Sequence, residues 1–378
     1  MIYLDAAATV KPRREVIEVV RNALEREWYN PSARYAEARQ MRQHIETARI
    51  TIAESIGARP DEIYFTSSGS EANAMAIKGV TMYVKDTVPC VSSFMHMPMT
   101  SAIEHKSIMD WALDNNFTII PVNKDGKVSP DIFSKMLEEY NPRFVSIQYV
   151  NNETGSENCI QTLAELAHKH NCIFHTDAVQ AFQHCCCDVK KLGVDAMSFS
   201  GHKIGCPPGI GFLYLRHGLH IEPLINGSQE YGYRGGTENL PYILGLAEAV
   251  KHRYDIDSEN IRSNRIYFEK ALIEIGCKIN CYNTYRAPHI ISCMLPEGVM
   301  ADYMMNVLEL DGIKVSAGSA CNTGKPSRVL KAIGLLDDGI SRTIRISMDE
   351  TITSDIIDYV VDCIEGRIKQ VRCLINVL

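Results

Sequence analysis

The sequence predicts an α/β protein: a large domain built on a mostly parallel sheet, followed by a smaller α+β domain. Three observations carry this. Short β-branched runs alternate with amphipathic segments through the first two thirds of the chain, the pattern of a parallel sheet covered on both faces. At 378 residues the chain is too long for one compact core. From about Ser258 onward, charged helical segments give way to new strands. The boundary is therefore placed near Asp257, with residues 1–257 forming the large domain and 258–378 the small one. Residues 1–14 are expected to pack on the latter.

Residues 12–27 read as an amphipathic helix, because Pro12 suits a first helical position and Val16, Val19, Val20, Ala23 and Leu24 share one face. A second helix covers residues 33–56 and stops at Gly57. A strand at 62–66 then runs into Ser67-Ser68-Gly69-Ser70-Glu71 and a helix over 72–80. Further strands are expected at 117–122, 144–150, 172–176, 196–200 and 210–215, separated by helices such as 130–139 and 163–170. Residues 81–94, ahead of a strand starting near Met97, are longer than such a link needs. They read as an insertion or lid, with surface decoration as the plainer alternative.

Composition excludes several classes. The chain is 46% hydrophobic and 22% charged, as ordinary globular proteins are. Its net charge of −7 argues against a broad nucleic-acid surface, so no direct nucleic-acid partner is expected. The opening Met1-Ile2-Tyr3-Leu4-Asp5 is charged too early for a signal peptide. No apolar run approaches the ~18–20 residues that span a bilayer. A cytoplasmic protein without a membrane partner is the expectation. The thirteen cysteines are odd in number and show no repeated Cys-x-x-Cys spacing. They read as reduced thiols packed as small hydrophobes, not as a disulfide framework.

Several short segments carry chemistry. Ser198-Phe199-Ser200-Gly201-His202-Lys203 follows a buried strand and precedes a Gly-Pro turn. A lysine there, beside small and hydroxyl residues, can form a Schiff base while its neighbours bind an anion; a solvated charge is the alternative. Asp177, in His175-Thr176-Asp177-Ala178-Val179-Gln180, ends another strand, where a buried carboxylate needs a cation or serves as a helix N-cap. The turn Ser67-Ser68-Gly69-Ser70 offers backbone N–H groups and hydroxyls to a phosphate, although many helices are merely capped this way. His105 and Asn152 again lie where a strand ends. Ligand groups in open α/β sheets gather at the carboxyl ends of strands, and these segments share that placement. Cys321 sits in a small, polar run, Val315 to Ser327, where an accessible thiol can reach a substrate if it ionises.

Together these residues resemble the NifS/IscS-type cysteine desulfurases of the class V aminotransferase group. The resemblance runs almost end to end through Tyr3 to Thr9, Tyr29 to Ser32, Phe65 to Asn73, Glu104-His105-Lys106, Val150 to Gly155, Asp177 to Gln180, Ser198 to Lys203, Arg234 to Thr237 and Gly318 to Cys321. It implies the fold type I architecture of pyridoxal 5'-phosphate (PLP) enzymes, with a seven-stranded sheet. It further implies that Lys203 carries PLP and moves protons, that Asp177 pairs with the ring nitrogen, and that His105 stacks on the ring. Asn152 and Gln180 would contact the ring oxygen and its surroundings, while Gly69, Ser70, Ser200 and His202 hold the phosphate. Thr237 would reach the cofactor of a second copy, which implies a homodimer. Arg345 would clamp the carboxylate of L-cysteine, with Asn30 and Asn152 on the substrate side. Cys321 would take the sulfur as a persulfide, releasing alanine, and pass it to an acceptor protein for iron–sulfur clusters or tRNA thiolation.

The chain also departs from that family. The stretch from Cys321 to Pro326 is two residues shorter than usual, and Asp349-Glu350-Thr351-Ile352 replaces a segment that carries an arginine. Cys206 lies three residues from Lys203 and reads as packed. His184-Cys185-Cys186-Cys187 is tempting as a metal cluster, but neighbouring side chains on a strand point to opposite faces, so packing is the better reading. Two alternatives to the desulfurase stay open: a selenocysteine lyase or other class V enzyme, and a non-catalytic sulfur-transfer partner.

Overall fold

The computed structural model describes residues 1–87, 97–318 and 326–375. Its strands, in chain order, are β1 (Ile2–Tyr3), β2 (Ile63–Thr66), β3 (Met99–Ser101), β4 (Thr118–Ile120), β5 (Phe144–Ser146), β6 (Ile173–Asp177), β7 (Ala196–Ser200), β8 (Gly211–Leu215), β9 (Lys278–Ile279), β10 (Ile290–Met294), β11 (Ile313–Lys314) and β12 (Thr343–Ser347). Seven of them form the main sheet in the order β2-β8-β7-β6-β5-β3-β4. Only β8 runs antiparallel to its neighbours in that sheet. The predicted mostly parallel, seven-stranded sheet is present.

Both faces of this sheet are buried, which explains the unbroken apolar runs of its strands. In β8, Phe212 and Tyr214 enter one apolar layer while Leu213 and Leu215 enter the other. In β2, Ile63 and Phe65 face the first layer and Tyr64 the second. The first layer is closed by the helices Arg14–Arg26, Ala36–Ser55 and Leu240–His252, and the second by Gly69–Thr87 and Lys106–Asp114. Burying each large apolar side chain contributes roughly 1.5–3 kcal/mol, so the sheet is held from both sides.

A separate apolar cluster gathers Leu4, Phe268, Ile291, Cys293, Ile344, Ile346, Ile357 and Ile364. It surrounds the antiparallel sheet β12-β10-β9 and draws on the helices Ser258–Glu274, Ala301–Leu310 and Ser354–Ile375. β1 pairs in parallel with β11, and Asp5 bridges Ser347 at the end of β12. The first residues of the chain thereby lie on this second sheet.

Two expectations are corrected. The helix expected over 72–80 runs from Gly69 to Thr87. Residues 81–87 of the expected insertion therefore continue a helix: no breaker precedes Pro89, and Val84 packs beside Val80 one turn earlier. The rest of that segment, 88–94, lies outside the described residues. Residues 185–187 are not on a strand but in an irregular stretch before the short helix Val189–Leu192. Cys186 is exposed, Cys187 buried and Cys185 between the two, and no group of three metal-binding side chains occurs among the described residues. Cys206 is fully buried, and burial pushes its thiol up to about 12.

Candidate active site

Because β2, β3, β5, β6 and β7 point the same way, the segments leaving their carboxyl ends converge on one edge of the sheet. They line a cavity of about 240 Å³. Ten of the expected site residues meet there: Gly69, Ser70, His105, Asn152, Asp177, Gln180, Ser200, His202, Lys203 and Arg345. Ala7 and Ala8 from the opening segment, together with Ser68, Asn73, Gln148 and Val179, complete the lining.

One wall is a helix N-terminus. The Ser68 hydroxyl accepts from the Glu71 N–H at 3.2 Å, so the helix starts at Gly69 and its first N–H groups have no intrahelical acceptor. An anion is favoured at such an end. Packed against it, Ser200 ends β7 and leads into the tight turn Gly201–Lys203. The His202 imidazole lies 3.2 Å from the Thr9 hydroxyl, and burial together with the Lys203 ammonium lowers its pKa to about 4. Neutral at ordinary pH, it can donate one N–H to an anion.

Asp177, at the last position of β6, is buried, and each of its oxygens accepts one hydrogen bond. Its Oδ1 accepts from the Val179 N–H at 2.9 Å and its Oδ2 from Asn73 Nδ2 at 2.8 Å. Asn73 also donates to the Ser107 hydroxyl at 3.0 Å, and that hydroxyl lies 2.8 Å from His105 Nδ1. His105 caps the helix Lys106–Asp114 through the same nitrogen, which accepts from the Ser107 N–H. Nδ1 is thus an acceptor and the ring proton sits on Nε2. Burial lowers the His105 pKa against the opposing field of Asp177, which keeps the ring neutral.

Lys203 donates to the carbonyls of Ala7, at 2.8 Å, and Ala8. Arg345, on β12, donates to Asp5 Oδ1 at 2.6 Å and to the Asn152 carbonyl at 2.9 Å, while its buried Nε has no partner among the described residues. The cavity therefore joins an anion seat, a buried carboxylate in its lining, an amine held by carbonyls, and a guanidinium with donor capacity to spare.

Two expected residues stand elsewhere, and a third is not among the described residues. Asn30 is exposed, with its side chain closing a local turn onto the Ser32 N–H at 2.9 Å. Thr237 lines a separate hollow of about 130 Å³ with Ser67, Arg234 and Glu238. Cys321 lies outside the described residues. Sequence reasoning gave no role to Asn73, Ser107 or Gln148. The first had a usable signal, since Asn73 stands four residues after Gly69 and so shares its helix face.

The model of the family "Aminotransferase class-V" matches residues 2–360. The chain is 36% identical to the protein named cysteine desulfurase IscS of Dictyoglomus turgidum, with 99% of this chain and 96% of that protein covered. Among solved structures, a NifS-like protein superposes with a TM-score of 0.87 at 28% identity, covering 97% of this chain and 99% of that one. A structure described as SspA in complex with cysteine gives 0.80 at 32% identity, with 92% and 99% covered. Matched by that family model from residue 2 to residue 360 and built on the same sheet as its NifS-like neighbour, the chain belongs to the class-V aminotransferase family.

Proposed function

We propose that this protein is a PLP-dependent cysteine desulfurase, which removes sulfur from L-cysteine to give L-alanine and a persulfide on Cys321. The observation that carries the reading is the single cavity in which Lys203, Asp177, His105, the Gly69 helix start and Arg345 meet. Relatives named cysteine desulfurase over nearly the full chain support the same choice.

The residues fit PLP. A Cβ on Gly69 would lie 2.7 Å from Val179 Cγ2 and 3.1 Å from Ser200 Cβ, so the turn is shaped to bring backbone close to an anion. Gly69, Ser70, Ser200 and His202 would hold the phosphate, with Thr237 serving the phosphate of a second copy in a homodimer. Asp177 would oppose the positive ring nitrogen, neutral His105 would lie on the ring, and Gln180 and Asn152 would meet its oxygen side. When bound, PLP supplies an electron sink that loosens the bonds around the α-carbon of an amino acid.

The chain's own groups do the rest. Arg345 fixes the substrate carboxylate by a charge-assisted fork, with Asn152 beside it and Asn30 on the substrate side. Lys203 Nζ holds and moves the α-proton. The Cys321 thiolate takes the substrate sulfur: a sulfur–sulfur bond forms as the carbon–sulfur bond breaks, its electron pair goes to carbon, and a proton on that carbon completes alanine. A sulfur-acceptor protein then takes the persulfide, in iron–sulfur assembly or tRNA thiolation. We read the working form as a cytoplasmic homodimer, with residues 1–257 as the cofactor domain and 258–378 as the smaller one.

The test is to incubate the PLP-loaded protein with L-cysteine and follow alanine together with protein-bound sulfane sulfur. Equal amounts of both are expected in a single turnover. A Cys321→Ala variant should make neither; full activity in that variant would overturn the mechanism.

A further inference from the structure

Gln180 lies between two partners that together fix its amide. Its Nε2 donates to the Ala7 carbonyl at 2.8 Å, and its Oε1 lies 3.3 Å from His289 Nε2. The Ala7 oxygen only accepts, so the nitrogen end of the amide must face it. His289 must then donate from Nε2, because a lone pair there would meet the Gln180 oxygen.

His289 is equipped for that one task. It is buried where the chain enters β10, and the Met348 N–H, beyond β12, donates to its carbonyl at 2.9 Å. Its ring packs on His184 at a centroid distance of 4.3 Å and a tilt of 33°, and His184 lies 3.3 Å from the Ser258 hydroxyl. Burial, with His184 and the cations Arg345, Lys203 and Arg265 around it, keeps the ring neutral. A neutral ring carries one proton. Nδ1 is buried without a partner among the described residues, so leaving it as a bare lone pair and placing the proton on Nε2 strands no donor.

An amide nitrogen has two N–H bonds. With one on Ala7 and the oxygen turned to His289, the second is left for the cavity that Gln180 lines together with Lys203. We propose that His289 is a positioning residue, which locks Gln180 so that its amide presents a donor to the ring oxygen of the bound cofactor. This rests on the PLP reading above. A donor at that oxygen withdraws electron density and makes the nitrogen joining cofactor and Lys203 harder to protonate. Without His289, Gln180 is pinned at one end only and the donor is lost or misdirected.

The readout is the visible absorbance of the PLP-loaded protein titrated with pH. His289→Phe keeps a flat ring without nitrogen and is expected to raise the titration midpoint by about one unit, a tenfold change. His289→Gln, which restores an N–H donor, should return most of the shift. Gln180→Ala should match His289→Phe, and the double variant should go no further. Unloaded wild type and His289→Phe are melted in parallel, so that a folding defect is seen as one. A second measurement needs no variant: histidine-selective ¹⁵N NMR of the wild type should show His289 as the Nε2–H tautomer. A midpoint unmoved in His289→Phe, shifts that add in the double variant, or the Nδ1–H tautomer each overturn the inference. If no visible band forms in the wild type, the cofactor reading has failed, and the inference falls with it.

Discussion

Gly69 and Val179 approach so closely that a Cβ added to Gly69 would stand 2.7 Å from Val179 Cγ2. The start of a helix is thereby pressed against the segment that follows β6, which sets its N–H groups at the cavity wall. Real Cβ atoms do not make such contacts, so Gly69→Ala must displace either the turn or Val179. We expect PLP affinity to fall at least tenfold, measured by cofactor titration. Overpacking should also cost the unloaded protein roughly 1–3 kcal/mol of unfolding free energy. Unchanged affinity would show that the anion seat lies elsewhere.

Arg345 offers a second test. Its fork is already engaged with Asp5 and the Asn152 carbonyl, leaving spare donor capacity at the cavity. Arg345→Lys keeps the charge but loses the planar fork that grips a carboxylate. The expected outcome is a KM for L-cysteine raised about 10–100-fold, or about 1.4–2.7 kcal/mol, with the PLP absorbance unchanged. A KM equal to that of the wild type would remove Arg345 from the substrate site.

Much of this site was legible because strand ends can be read from apolar runs, and a parallel sheet sends its strand ends to one edge. Lys203, Asp177 and His105 were found that way. What could not be read are contacts made between distant segments. The Ala7 carbonyl that meets both Lys203 and Gln180 comes from the opening of the chain, and nothing local in Leu4-Asp5-Ala6-Ala7 marks a main-chain oxygen as a partner. The helix begins three residues before its expected start because the Ser68 cap outweighs the weak helix propensity of Gly69 and Ser70. Thr237 was placed by resemblance alone, and within one chain it stays out of the cavity.

Glu104 gives a pH prediction. Its carboxyl is fully buried, accepts from the Gln148 N–H at 2.7 Å and from the Ser101 hydroxyl, and leaves Oε2 without a partner among the described residues. Burial, reinforced by the nearby Asp177, raises its pKa to about 8. A raised folded-state value means that the fold holds this proton while the unfolded chain, near 4.5, releases it. The stability it contributes is therefore complete below about 4.5 and is lost as pH rises through 8, by roughly 3–5 kcal/mol. Denaturant midpoints of the wild type should fall over that window, and in Glu104→Gln that part of the slope should vanish. A decline identical in both proteins would assign it to other groups.

The small sheet should prove most fragile at Glu269. This carboxylate meets Arg286 at 2.8 Å and Arg265 at 2.9 Å, and all three side chains are buried. One anion therefore serves two cations out of water, an arrangement that contributes little net stability yet is costly to break. Burial already lowers the Arg265 pKa, against the pull of Glu269, and Arg286 adds to the lowering. In Glu269→Gln both guanidiniums would face a neutral amide, and the loss should reach about 3–5 kcal/mol. Little of it should depend on salt, because buried charges are poorly screened. An exposed pair such as Arg14 and Glu18 sets the contrast: Glu18→Gln should change stability by less than about 0.5 kcal/mol. Arg286 also bridges Ser156, and the next residue, Ala287, donates to the Gly155 carbonyl at 2.9 Å, so the cluster braces the loop that carries Asn152. Urea unfolding of the loaded protein should thus show Glu269→Gln losing PLP absorbance at a lower denaturant concentration than the wild type. Coincident midpoints would mean that the cluster does not support the cavity.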